Sequence, residues 1–123
     1  MISSIARTLY RSRPSWAGEC FMVAYRLTLM AHEQGLDVTL VHGQPKFRGE
    51  HQRFEGRVYR PGMRFDHAWV ETPEGVWDLT VGDVALPREL YYSLGRLDDA
   101  HTKKYSWEAA VKLVCREEHY GPW

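Results

Sequence analysis

The chain is poor in cysteine, with only Cys20 and Cys115 among its 123 residues. Two thiols are too few for a disulfide-stapled secreted scaffold. A single Cys20–Cys115 bridge stays open, and it would consume Cys20. Net charge is also missing, because sixteen Lys and Arg balance sixteen Asp and Glu. Nucleic acid and anionic membranes both demand a positive surface, so neither is expected as the main partner. The local basic stretches at residues 7–13 and 101–104 read as solvated surface charge. No apolar run is long enough to cross a bilayer; the best, at residues 21–31, is interrupted by Arg26. Arg7, Arg11 and Arg13 are not followed by an apolar stretch of signal-peptide type. Repeats, low-complexity tracts, linkers and a glycine-rich phosphate loop are absent as well. The expectation is a soluble cytoplasmic protein that needs no cofactor.

What the chain does have is enough apolar and aromatic material for a core. Hydrophobic residues make up 44%, with five Trp and seven Tyr, so it reads as globular. Its length fits one domain over residues 1–123, burying roughly two-thirds of its unfolded surface. The first dozen residues read as a short helix interrupted by Pro14. Residues 18–34 read as a helix with Val23, Leu27, Met30 and Ala31 toward the core and Gly35 as its stop. Residues 36–42 are rich in β-branched side chains and read as a strand. Residues 43–50 read as a loop, and residues 54–59 as a further strand. Residues 65–72 and 76–80, joined through Pro73-Glu74-Gly75, give the clearest hairpin. A short helix is expected at residues 89–94, and a last helix begins after an N-cap at Ser106, with Ala110, Val111 and Val114 inward. Helix, antiparallel strands, then helix is an α+β pattern.

The chemistry centres on Cys20, in Gly18-Glu19-Cys20 at the expected start of the first long helix. A thiolate, not a thiol, attacks a carbonyl, and at the ordinary pKa of about 8.5 only a few per cent is ionised at neutral pH. A helix N-terminus offers partial positive charge and unpaired N–H groups, which favour a thiolate and a developing oxyanion alike. Gly18 would let a substrate backbone approach closely. Taken alone, a cysteine opening an apolar helix is more often a small core residue. His67 and Asp78 change that balance. His67 opens the first strand of the hairpin and Asp78 lies on the return strand. A hairpin brings a base and the carboxylate that orients it onto one face. Alternation sets His67, Trp69 and Glu71 on one face and Ala68 and Val70 on the other. If Asp78 shares the face of His67, Trp77 and Leu79 join the core. A plain three-residue loop pairing Thr72 with Val76 would put Asp78 on the wrong face, so a four-residue loop or a bulge near Gly75 is expected.

Gly18-Glu19-Cys20 opening a helix, His67-Ala68-Trp69-Val70-Glu71, and Trp77-Asp78-Leu79-Thr80 after a short turn together resemble the core of the transglutaminase-like superfamily, within the papain-like cysteine protease fold. The apolar segment at residues 35–43 looks like the family's segment after the cysteine helix. The resemblance covers roughly residues 16–81. It implies a cysteine-bearing helix packed on a small antiparallel sheet, with Cys20 as nucleophile, His67 as base and Asp78 as orienter. It also implies a thioester acyl-enzyme, which water resolves by hydrolysis and an amine by transfer. At 123 residues the chain is close to a minimal core, which favours a thiol-dependent amide hydrolase of peptidase or deamidase type acting on a protein or peptide. The alternatives are an acyl transferase on the same triad, a binding module that keeps the fold without turnover, and a structural domain with accidental matches. The sequence does not fix the oligomeric state.

Other residues are weaker candidates. Trp16, four residues before Cys20, would line an acyl pocket or pack; Trp69 would wall the site or pack. Glu71 reads as a local pairing partner on the sheet. Gln44 is the nearby amide that would donate to an oxyanion, though a loop Gln is usually solvated. His32-Glu33 lacks the second His one turn on, where Leu36 stands, so the metalloprotease reading fails. Cys115 and His119 are one helical turn apart without a second pair, so no metal site is expected. His42, His51 and His101 read as surface residues. The arginine-rich stretch at residues 44–63 reads as a lid, as a surface for an acidic partner, or as a mobile charged loop.

Overall fold

The computed structural model describes residues 1–54 and 56–123. Helix α1 (Ile2–Arg11) buries Ile2, Ala6 and Leu9, one stripe at helical spacing. Helix α2 (Cys20–Glu33) turns Val23, Ala24, Leu27, Thr28 and Ala31 inward. Its end follows from Gly35 at φ +73. There the Gly35 and Leu36 N–H groups donate to the His32 and Ala31 carbonyls, at 2.9 and 3.0 Å, and close the helix in a Schellman motif. Helix α2 begins two residues later than its periodicity suggests, because Gly18 at φ +79 bends the chain and Glu19 takes the N-cap position.

The strands β1 (Thr39–Gly43), β4 (His67–Thr72), β5 (Gly75–Trp77) and β6 (Thr102–Tyr105) form one antiparallel sheet in the order β5-β4-β1-β6. Between β1 and β4 the chain makes an excursion that carries a small hairpin, β2 (Gln52–Phe54) and β3 (Arg57–Tyr59). Residues 54–59 were expected as one strand; two short strands stand there instead, and Glu55 between them lies outside the described residues. The helix α3 (Arg88–Gly95) follows β5, and α4 (Trp107–Glu117) closes the chain, with the Ser106 hydroxyl accepting from the Ala109 N–H at its start. The fold class is α+β. Strand β6 was not foreseen. Its Lys103 and Lys104 are exposed, and charged side chains on a sheet edge discourage further strand pairing.

The two faces of the sheet are buried differently. One face, with Leu40, Ala68, Val70, Trp77 and Leu79, packs on Val23, Leu27 and Ala31 of α2, on α1, and on Ala110 of α4. The other face holds Val41, Trp69 and Val76 beneath Tyr91 and Tyr92 of α3 and Leu97. Trp69 lies so close to β1 that a Cβ on Gly43 would collide with its indole ring. Gly43 is therefore a packing requirement of the strand pair.

Candidate active site

The register of the β4–β5 hairpin decides whether a triad exists. Thr72 pairs with Gly75, Glu71 with Val76 and Val70 with Trp77. The loop is Pro73-Glu74 alone, a two-residue connection in place of the four-residue loop or bulge the sequence suggested. Parity is what matters, and two residues satisfy it as four would. Continued one step, the register sets Asp78 beside Trp69 and diagonal to His67 on the same face. Trp77 and Leu79 fall with Ala68 and Val70 in the main core, as the alternation requires. Gly75 sits at φ +137, and a Cβ there would collide with the Leu86 carbonyl oxygen. That close approach lets Val76 and Leu86 exchange backbone hydrogen bonds of 2.8 Å, so the strand end is clamped from both sides.

His67 and Asp78 meet at 2.7 Å between Nε2 and Oδ2, with side chains 12% and 3% exposed. Asp78 Oδ2 also accepts from the Tyr91 hydroxyl at 2.7 Å. Its Oδ1 accepts from the Thr80 N–H at 3.1 Å and the Thr80 hydroxyl at 2.7 Å. Burial pushes this carboxyl upward, but the His67 charge and these donors outweigh it and hold it down at about 2. For His67 burial works toward the neutral ring, and the adjoining Asp78 charge and hydrogen bond, with a contribution from the Cys20 thiol, reverse it well upward. Asp78 occupies Nε2, so Nδ1 is the nitrogen left to serve Cys20.

Cys20 is the first residue of α2 and is half-buried; Cys115 is exposed, and both are free. The N-cap residue Glu19 makes no side-chain hydrogen bond to this helix start. The Glu19 carboxylate turns instead to Arg13. The Val23 N–H is the first of the helix to reach a backbone carbonyl, that of Glu19 at 3.0 Å. The N–H groups of the first turn before it have no helical acceptor. Cys20, His67 and Asp78 line one cavity of about 540 Å³ together with Gly18, Tyr91 and the segment around Phe47. The excursion between β1 and β4 roofs it and is tied down through main-chain carbonyls. Arg64 donates to Gln44 and Arg96, and Arg48 donates to Leu94.

The two tryptophans proposed for the pocket do not line this cavity. Trp16 is buried against α1, its Nε1 donating to the Leu9 carbonyl at 3.1 Å and its ring lying under the Arg13 guanidinium. Trp69 is fully buried behind His67, its ring 6.1 Å from the imidazole and its Nε1 on Glu71 at 2.9 Å. Gln44 donates its amide to Asp66 at 3.1 Å. Glu71 pairs locally, accepting from Trp69, Tyr92 and Arg88. His42 is a correction: expected at the surface, it is 5% exposed, caged by Phe21, Tyr105 and Trp123, and both ring nitrogens lack a partner among the described residues. Tyr91 was missed, since nothing in its local sequence marks it. Among the described residues no cluster of side chains suits a metal ion, and no helix is long and apolar enough to cross a membrane. No family model, curated protein or solved structure matches the chain.

Proposed function

We propose that the protein is a thiol-dependent amide hydrolase acting on a protein or peptide through Cys20, His67 and Asp78. The observation that carries this reading is the meeting of the three side chains at one cavity, with His67 held by Asp78 at 2.7 Å. Resemblance of the surrounding motifs to the transglutaminase-like superfamily supports it as well.

In the proposed cycle Asp78 holds His67 in its protonated form, and Cys20 attacks the amide carbonyl as thiolate. The new S–C bond forms as the carbonyl π electrons move to oxygen. The N–H groups at the start of α2 are the donors assigned to that charge in this cycle. Collapse breaks the C–N bond, and His67 gives its proton to the departing amine. Water then attacks the thioester while His67 accepts its proton; the acid leaves and the Cys20 thiolate with protonated His67 is restored. Asp78 stays ionised throughout, because its donors favour the anion. The two free thiols suit a reducing compartment, and the reading includes a cytoplasmic location.

Alkylation with iodoacetamide near pH 6, followed by mass spectrometry, tests the assembly without a substrate. The expected outcome is rapid labelling of Cys20 and slow labelling of Cys115, with the difference lost in His67→Ala. Equal, slow labelling of both thiols in the wild type counts against the triad.

A further inference from the structure

The cavity beside Cys20 has a wall that no catalytic step uses. Phe47, Tyr59 and Phe65 come from three separate stretches of the excursion between β1 and β4, and all three line the cavity. Their ring centroids are 5.4, 6.1 and 5.9 Å apart, tilted or edge-on to one another. Phe65 continues the series to the triad, with its ring 5.5 Å from that of His67. Rings in this arrangement leave edges and faces for one more aromatic group. Gly49 helps shape the wall, since a Cβ there would stand 2.7 Å from Phe47 Cζ. A cavity of about 540 Å³ is in the range that holds a small ligand or a few residues of a peptide.

We infer that this three-ring box is the specificity pocket and that it takes an aromatic side chain next to the scissile carbonyl. The inference rests on the triad reading, which supplies the nucleophile. The substrate class is then a peptide-type amide with Phe, Tyr or Trp on the acyl side, placed so that its carbonyl carbon reaches Cys20 while the ring enters the box.

The test compares N-acetyl phenylalanine chloromethyl ketone with its alanine counterpart on the full chain. Each rate of adduct formation at Cys20 is divided by that with a free small-molecule thiol, and iodoacetamide serves as a size-neutral reference. The expected result is a preference of roughly tenfold or more for the phenylalanine reagent. Phe47→Ala and Tyr59→Leu should bring it to within about twofold while the iodoacetamide rate holds, since the ring paired with His67 is that of Phe65 and stays in place. Gly49→Ala, which displaces the Phe47 ring without removing it, should lower the preference too, and it serves if Phe47→Ala fails to fold. A wild-type preference below about twofold, with Cys20 still labelled faster than Cys115 by iodoacetamide, overturns the aromatic pocket and leaves the triad standing. Slow, equal iodoacetamide labelling of both thiols removes the triad, and the pocket assignment falls with it.

Discussion

Two buried histidines on neighbouring strands of the same sheet have opposite chemistry. His67 on β4 meets Asp78 and is driven toward its charged form. His42 on β1 sits among Phe21, Tyr105 and Trp123 with neither nitrogen partnered, and burial lowers its pKa to about 4. The nearby Lys103 adds to that, and Asp66 opposes it weakly. Burial penalises the imidazolium in both places; a carboxylate within hydrogen-bond reach decides the outcome. A histidine inside a protein is therefore an aromatic wedge or a poised acid–base group according to its partner, and burial alone says nothing of which.

The sharpest way to separate the two is thiol reactivity. His67→Ala should slow alkylation of Cys20 at pH 6 by about a hundredfold or more, the usual scale for a positioned acid–base group. His42→Leu should leave that rate within about twofold, because the residue faces Phe21 and Trp123 and does not contribute to the triad's charges. A large loss in His42→Leu would mean that the aromatic cage sets the position of α2, whose second residue is Phe21.

Stability should split the same way. His67→Leu leaves Asp78 buried without its cation and should cost about 3 kcal/mol in urea unfolding. His42→Leu removes a ring whose nitrogens are unsatisfied and should be neutral or stabilising by up to about 1 kcal/mol. The acid limb gives a third contrast. With a folded pKa near 4 against 6.5, His42 resists a proton that the unfolded chain accepts, so stability falls as pH drops from 6.5 toward 4. The limiting slope is about 1.4 kcal/mol per pH unit for one such group, and His42→Leu should flatten it. The His67 contribution has the opposite sense: its folded pKa is raised, so that stabilisation is complete below 6.5 and fades as pH rises above it. Asp78, depressed to about 2, contributes above its unfolded value of 3.8 and loses that only toward pH 2. Unfolding midpoints at pH 4, 6 and 9 for wild type and both variants check the two histidine contributions.

Much of this contrast could be read from local pattern, and the parts that could not have physical reasons. The facing of His67 and Asp78 follows from period-two alternation across one turn, which is why the two side chains still meet despite a mistaken loop length. The same alternation sets His42 with Leu40, and Leu40 belongs to the main core; the signal for its burial was present but outweighed by the polarity of the residue. Strand β6 was hidden because its Lys103 and Lys104 read as surface charge, which they are, while its main chain still pairs with Leu40 to Gly43. Trp16 looked close to Cys20 along the chain, yet Gly18 at φ +79 turns the chain between them and leaves the indole against α1. Tyr91 and the ring box depend on where α3 and the excursion fold back over the sheet, and no local periodicity encodes that.

Tyr91 offers the smallest and most discriminating change. It donates to Asp78 Oδ2, the oxygen that also holds His67. Tyr91→Phe removes one hydroxyl while the Thr80 donors stay on Oδ1. A hydrogen bond to a buried carboxylate is worth about 1.5 kcal/mol, part of which water entering from the cavity would restore. If Tyr91 helps to keep Asp78 anionic and aimed at His67, alkylation of Cys20 should slow by about threefold to tenfold, with the acid limb of its pH profile moved upward. The Tyr92→Phe control should leave the profile in place, since that hydroxyl serves Glu71. Loss of stability without a shift in the profile would make Tyr91 a packing residue of α3 and leave His67 and Thr80 as the groups that set Asp78.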